Sequence, residues 1–440
     1  MTKPLQLPGK RLREVHPAVD QINKFAASQL NTARQYELAI IATKRAIRVT
    51  PNSRELWSNI GTYFFNSRQY GEAEAAFARA LVIDPDYAVA HCHLGLVYGA
   101  TRHFDKAEHH YAEALRLDPD SLAIRYDRSM LKLRRGNYAE GFKEWEVRIP
   151  FKMGTSFPKY PFPYYAGEPL VGKTVYVCGE QGIGDTVLFS RFLPWISEQG
   201  CSKVYLHVNQ QMTNLLWGYR HIVEFLPEGV PLPNADYAIS MGSLPHWSGA
   251  TLDNLPADPG KILWRVRQSA KDFTLPEPGG PNPFRVGIAW SGNPLMDRNE
   301  ERSIPFHVIS RVVENPRVWA HSFQCGPSAN DIAAAGADQL VCDLSSQLME
   351  RGLVGCGAAL LQMDLVITSC TSIAHLAGAL GVPCWVMLCY DAYWPWLIDR
   401  VDSPWYPNTR LFRQTVPDNW VWVMNDVMKE LDQLLIKKET

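Results

Sequence analysis

Residues 70–85, YGEAEAAFARALVIDP, return as FDKAEHHYAEALRLDP at residues 104–119, a step of 34 positions. The same step links Asn23, Trp57, His91 and Arg125, and also Ala27, Gly61, Gly95 and Ser129. It links Ala39, Ala73, Ala107 and Gly141, and Ala46, Ala80, Ala114 and Arg148. Pro51, Pro85 and Pro119 close three units, each just after an apolar run. Ala and Gly at fixed places let two helix axes approach, while Trp57, Phe64, Phe77, Tyr98 and Tyr111 fill the spaces beside them. One such unit cannot bury its apolar face alone, so several must stack. Residues 1–150 therefore read as a helical solenoid. Arrays of this kind present surfaces to proteins or peptides, and the concave face is expected to include Asn59, Tyr63 and His93.

The remaining bulk properties narrow the class. A chain of 440 residues is too long for one core and implies two or three domains. Lys+Arg 44 against Asp+Glu 45 leaves no global charge to attract nucleic acid. Residues 1–20 are polar and carry no apolar signal core. Nine dispersed cysteines form no CxxC pair and no zinc spacing, so reduced thiols in a cytoplasmic protein are expected, with no metal site. Leu365 to Tyr390 contains no Asp, Glu, Lys or Arg and is long enough to cross a bilayer. It also contains His375, Gly378, Gly381 and Pro383, and divides into strand, helix and strand. A buried parallel-sheet unit explains it better than a membrane span.

After the repeats the texture changes. Residues 151–170 read as a linker or docking strap, because the stretch from 150 to 170 holds five prolines and no helical period. From 171 to 280, strand TVYVCGE leads to a helix DTVLFSRFLPWISEQG that stops at Gly200, then strand KVYLHVN, short helix NLLWGYR and strand DYAIS. PEPGGPNP, residues 276–283, is a second linker. From 284 to 440, strands RVGIAWSG, VWAHSFQCG, LVCDLS, DLVITSC and CWVML alternate with helices. This alternation predicts two doubly wound α/β domains, Rossmann-like in build, with a cleft between them fed by loops from the carboxyl ends of strands.

Two strand-to-helix turns carry the chemistry. In CGEQGIGDTVLF, residues 178–189, Gly179, Gly182 and Gly184 allow a tight turn and close approach of a ligand. The helix that follows offers free N–H groups to an anion, or Asp185 simply caps it. In ITSCTSIAHLAGALG, residues 367–381, Ser369, Thr371 and Ser372 open a helix, the place where a diphosphate is held by N–H groups, hydroxyls and the helix dipole. The same hydroxyls also suit ordinary capping, and His375, one turn on, suits either a ligand contact or the core.

Four segments in order resemble a known family: CGEQGIGDTVLFSRFLP, GIAWSGNP followed by DRNEERSIPF, VITSCTSIAHLAGALGVPCWVML, and YWPWLIDRVDSPWYPNTRLFRQ. Together with the 34-residue tetratricopeptide period, they are similar to the bacterial tetratricopeptide-repeat glycosyltransferase-like proteins. Those are related to the heptosyltransferases and more distantly to the O-GlcNAc transferases. The resemblance implies a GT-B fold, in which the C-terminal Rossmann-like domain holds most of a nucleotide-sugar. It further implies transfer from a UDP-, GDP- or ADP-linked sugar, as substrate and without a cofactor, to a protein or glycan acceptor held partly by the repeats.

By position, Asp185 matches the carboxylate proposed as general base in the family, which would draw the proton from an acceptor hydroxyl. Gly182 and Gly184, then Ser291 and Asn293 after the first strand of the second domain, would line the nucleotide-sugar site. Arg298 and Arg302 in the next loop would meet the diphosphate, unless they pair with Glu300 or Glu301 on the surface. Thr371 and Ser372, with Ser369 and His375, match the phosphate turn. Cys370 departs from the Asp common in heptosyltransferases, so ADP-heptose is not carried over as the donor. Tyr390, Tyr393, Trp394, Trp396, Trp405 and Tyr406 either contact ligand or seal the two domains together. The last helix, near Asn425 to Lys437, is amphipathic through Val427, Leu431, Leu434 and Leu435 and is expected to pack back on the body; in the fold the resemblance implies, it often crosses to the first α/β domain. An inverting, metal-independent transferase is one reading and an inactive scaffold bearing the repeats is the other. Exposed repeat faces also suit a homodimer.

Overall fold

The computed structural model describes residues 33–180, 182–256, 263–276, 284–296 and 298–439. Asn23, Ala27 and nearly all of the PEPGGPNP linker lie outside these. Among the described residues six helices form the array: α1 (Ala33–Val49), α2 (Arg54–Asn66), α3 (Tyr70–Ile83), α4 (Ala88–Ala100), α5 (Phe104–Leu117) and α6 (Leu122–Arg134). The period acts through particular contacts. A Cβ on Gly61 would stand 2.6 Å from the Phe77 ring, and one on Gly95 would stand 2.8 Å from Tyr111, the same pair one repeat later. These two helix pairs therefore need glycine where an aromatic ring crosses them. Trp57 Nε1 donates to the Pro51 carbonyl at 2.9 Å and Arg125 Nη2 to the Pro119 carbonyl at 2.6 Å. His91 Nε2 makes the equivalent bond to Pro85 at 3.2 Å. Three different side chains at one repeat position thus do one job, satisfying the carbonyl of the closing proline.

The chain divides into two compact units between Leu131 and Lys132, inside α6. This moves the boundary expected at residue 150. Residues 132–150 belong by their contacts to the second unit, including α7 (Tyr138–Trp145) and the short α8 (Arg148–Phe151). Trp145 lies 34 positions after Tyr111. Its ring sits 6.0 Å from Phe189 and 6.4 Å from Trp394, both in the α/β body. The proline-rich stretch after it is a strap rather than a free linker. Ala238 N–H donates to the Pro163 carbonyl and Tyr165 N–H to the Ala238 carbonyl, each at 2.8 Å.

That body holds two parallel sheets. The first has order β3-β2-β1-β4, from β1 (Thr174–Cys178), β2 (Lys203–His207), β3 (Glu224–Phe225) and β4 (Tyr237–Ser240). The second has order β10-β9-β8-β5-β6-β7, from β5 (Phe284–Ala289), β6 (Val318–Ser322), β7 (Val341–Asp343), β8 (Leu365–Ser369), β9 (Cys384–Leu388) and β10 (Thr409–Arg413). Every pairing of these strands is parallel. The architecture is thus helical repeats followed by two Rossmann-like domains. Leu365–Ser369 and Cys384–Leu388 are completely buried, which is why the charge-free stretch from 365 to 390 is a sheet core and not a span. Among the described residues no helix is long and apolar enough to cross a membrane.

Three expectations shift. The helix foreseen from Asp185 to Gly200 breaks at Arg191, giving α9 (Ile183–Ser190) and a separate turn of helix at Leu193–Glu198. β10 lies inside the aromatic segment, where TRLFR lacks a run long enough to announce a strand. The last helix, Trp420–Glu439, does not cross to the first sheet. Val423, Met424, Val427, Leu431 and Leu435 share one core with Val286 and Ile288 of the second sheet and with Val308 and Val312 of the helix Phe306–Val313.

Candidate functional site

In a doubly wound sheet, a crevice opens at the carboxyl ends of the strands where chain order reverses. The first sheet reverses between β1 and β4, and the second between β5 and β8. The Gly-rich turn follows β1, the Ser291 loop follows β5, and the Ser/Thr-rich turn follows β8. All three motifs therefore stand at reversal points, two of them from the second sheet.

In the first turn, Gly182 caps α9 and its N–H donates to Asp185 Oδ2 at 3.2 Å. Tyr393 hydroxyl donates to Asp185 Oδ1 at 2.8 Å. Burial pushes the Asp185 carboxyl above its ordinary range. The bonds from Tyr393 and Gly182 pull it back, Glu180 adds to the rise, and Arg302 opposes it. Gly184 is needed for a reason other than ligand approach. A Cβ there would stand 2.7 Å from the His375 ring, so this glycine lets α9 pack on the helix that follows β8.

The Ser291 loop is pinned from below. Gln324 Oε1 accepts from the N–H groups of Trp290 at 3.0 Å and Ser291 at 2.8 Å. Ser291 Oγ lies 3.0 Å from Ser303 Oγ. Asn293 is exposed and turns its Oδ1 back to the Leu295 N–H at 3.0 Å. The two arginines of the next helix turn, α10 (Asn299–Arg302) with Arg298 as its cap, part company. Arg298, in the left-handed region at φ 62°, is held by Glu301 at 2.9 Å and by Asp391 at 2.7 Å. The surface-pair alternative applies to it. Arg302 donates to Asn299 Oδ1 at 3.1 Å and to the Cys370 carbonyl at 3.3 Å. Its guanidinium fills the space over Gly292, where any side chain would collide with it.

Cys370 opens the third turn. Thr371 is the N-cap of α11 (Ser372–Ala379), yet its side chain does not cap the helix and lies 3.3 Å from Thr368 Oγ1 instead. Ordinary capping thus fails to account for this hydroxyl, and the helix start has no side-chain acceptor from its N-cap. Ser372 is partly exposed beside it. Ser369 is fully buried, with its hydroxyl unbonded among the described residues, so it faces the core. His375 corrects an expectation in the same way. It is 4% exposed, 3.0 Å from the Tyr406 hydroxyl and 5.0 Å from the Trp396 ring. Burial, with the charges of Arg191 and Arg302, pushes its pKa down to about 3, leaving a neutral core imidazole rather than a ligand contact.

The aromatic segment seals the body. Trp394, Trp396, Trp405 and Tyr406 are at most 1% exposed. Trp405 Nε1 donates to Tyr138 hydroxyl at 2.8 Å, and Trp396 Nε1 to Cys370 Sγ at 3.0 Å. Asp185, Arg302, Thr371 and Ser372 gather at the junction of α9 and α11. Tyr393 joins them; its side chain was visible in sequence but nothing there marked it as the partner of Asp185. Among the described residues no group of three metal-ligating side chains occurs.

The Tyr393 bond has a direct test. A hydrogen bond to the ionised carboxylate favours that form, so losing it raises the Asp185 pKa further. Carboxyl-carbon NMR titration of Tyr393→Phe should show Asp185 taking up its proton at higher pH than in the parent. An unchanged titration would mean that the bond does not form in solution.

Residues 30–88 and 88–121 match models of the tetratricopeptide repeat. That part of the chain is a tetratricopeptide array. Protein FlbA of Caulobacter vibrioides is 27% identical over 319 residues, covering 66% of this chain and 51% of that protein. The chain thus spans about half the length of the curated relative it matches. Among solved structures, the ADP-heptose LPS heptosyltransferase II of E. coli aligns with TM-score 0.44 and 12% identity, over 61% of this chain and 100% of that one. A mutant of the Thermobaculum terrenum O-GlcNAc transferase aligns with TM-score 0.33 and 12% identity, over 96% of this chain and 93% of that one. Likeness at that level leaves the chemistry to be argued from the residues themselves.

Proposed function

We propose that the protein is a glycosyltransferase moving a sugar from a UDP-, GDP- or ADP-linked donor to a protein or glycan acceptor, with inversion and without metal. One observation carries this reading. The carboxylate of Asp185, the Arg302 guanidinium and the start of α11 without a side-chain cap converge from loops at sheet reversal points. Asp185 would take the acceptor hydroxyl proton as the oxygen attacks the anomeric carbon. The bond from that carbon to the diphosphate breaks in the same displacement, which inverts the centre. Arg302, the α11 N–H groups and the hydroxyls of Thr371 and Ser372 would meet the charge developing on the leaving diphosphate. Ser291 and Asn293 would border the sugar or base. The tetratricopeptide array would hold a polypeptide acceptor, its face including Asn59 and the partly exposed edge of His93, whereas Tyr63 is buried in the array's core.

A specific observation favours the scaffold as second reading. Both Asp185 oxygens are engaged, and cavities of ≈460 Å³ beside Arg191 and Tyr219 and ≈410 Å³ beside Arg400 and Arg413 lie away from the two turns. An acceptor hydroxyl must therefore share an Asp185 oxygen with Tyr393 or Gly182, or displace one of them, to give up its proton there.

Thermal shift against nucleoside diphosphates, paired with a transfer assay, separates the two. A binder at about 100 times its dissociation constant adds roughly 2.7 kcal/mol and raises the melting temperature. Removal of residues 1–131 should abolish transfer to a protein acceptor and leave nucleotide affinity within about twofold. The cut belongs at 131, since one at 150 would also remove Trp145 and Arg148 from the body. No shift with any diphosphate would favour the scaffold.

A further inference from the structure

We infer that residues 132–151, the later part of a fourth repeat by sequence period, work as part of the α/β site, with Arg148 the positioning residue for the turn that carries Asp185. This rests on the reading of Asp185 as the site carboxylate. Arg148 stands at the repeat position of Ala46, Ala80 and Ala114, which are 9%, 0% and 0% exposed. Those alanines permit helices to touch. An arginine in their place cannot do that, yet Arg148 is only 1% exposed.

Its partners explain the burial. Nη2 donates to Glu180 Oε1 at 2.6 Å and Nε to Glu180 Oε2 at 3.3 Å, a two-point grip on the residue two places before Gly182. Nη2 also donates to Ser243 Oγ at 2.9 Å, and Nη1 to Glu146 Oε1 at 2.6 Å and to the Trp145 carbonyl at 3.3 Å. The guanidinium carbon lies 4.0 Å over the Trp145 ring. On the far side, Gly242 just after β4 has no side chain where Glu180 lies, and any Cβ there would collide with the carboxylate. Glu180 is thus seated between β4 and α8 with a cation built to receive it. Its charge also bears on Asp185, raising that group, and Arg148 sits beside it as the counter-charge. A buried ion pair adds little stability over apolar packing, which leaves stability a poor reason for this arginine.

The test uses the full chain and reads the turn directly. In Arg148→Met and Glu180→Gln, hydrogen exchange of the amides from 179 to 186 should accelerate at least about tenfold. The β5 amides should exchange as in the parent, with the melting transition still cooperative. Arg148→Lys, which keeps the charge but not the two-point grip, should fall between. Where transfer is measurable, the catalytic rate should drop while nucleoside diphosphate affinity stays within about twofold. Should Arg148→Met not fold, Glu180→Gln decides alone, because it leaves Arg148 its bonds to Glu146, Ser243 and the Trp145 carbonyl. Unchanged exchange at the turn, or equal acceleration in β5, overturns the inference. Exchange needs no turnover, so a parent without transferase activity would sink the functional reading and leave this result standing.

Discussion

Asp185→Asn should bind a nucleoside diphosphate normally, melt within a few degrees of the parent, and lose sugar transfer by at least about a hundredfold. The size follows from what each role is worth. A general base contributes on the order of 10²–10⁴-fold to rate. A cap contributes about 1 kcal/mol of stability and nothing to chemistry. Asn keeps one acceptor oxygen for Gly182 or Tyr393 but cannot take a proton. The raised carboxyl supplies a second signature. A base must be ionised to act, so transfer by the parent should fall as pH drops through a pKa above the ordinary aspartate value of about 3.9. Near-parental transfer by Asp185→Asn would return this residue to the role of cap, which its bond from Gly182 already performs.

Arg302→Ala is expected to cost about 10²–10³-fold in the catalytic rate, the range seen when one donor to a developing anion is removed. Its guanidinium already touches the Cys370 carbonyl at the mouth of α11, and Gly292 leaves it room. Arg298→Ala serves as the contrast. That side chain is committed to Glu301 and Asp391, so its loss should change the rate only a few-fold. Equal losses in the two variants, read as catalytic rate and diphosphate affinity, would remove the distinction drawn between them. Arg302→Lys should recover part of the rate, as a point charge without the planar fork.

Much of this was legible in the chain because local rules act within a few residues. Gly61 and Gly95 announce ring crossings that the structure realises on Phe77 and Tyr111. The turns at 178–189 and 367–381 were readable from glycine, hydroxyl residues and the start of an apolar helix. His375 was not, because a lone histidine one turn into a helix has the same sequence signature in a core as at a ligand. Which of the two it is depends on Trp396 and Tyr406, 21 and 31 positions away. The split between Arg298 and Arg302 was equally closed to sequence. Both lie in one short loop, and only the placement of Asp391 and Cys370 assigns one to an ion pair and the other to a helix start.

The sequence by itself determined the tetratricopeptide array, the two parallel α/β domains and the turns on which a ligand would rest. Period and hydrophobic pattern report on each element's own buried face, and that information is local. Only the tertiary structure decided where the array ends, since the 34-residue period continues to Arg148 while the contacts change partners at Leu131. A repeat is counted along the chain, but a domain is defined by what its side chains are buried against. Trp145 and Arg148 keep the register of the first and belong by their contacts to the second.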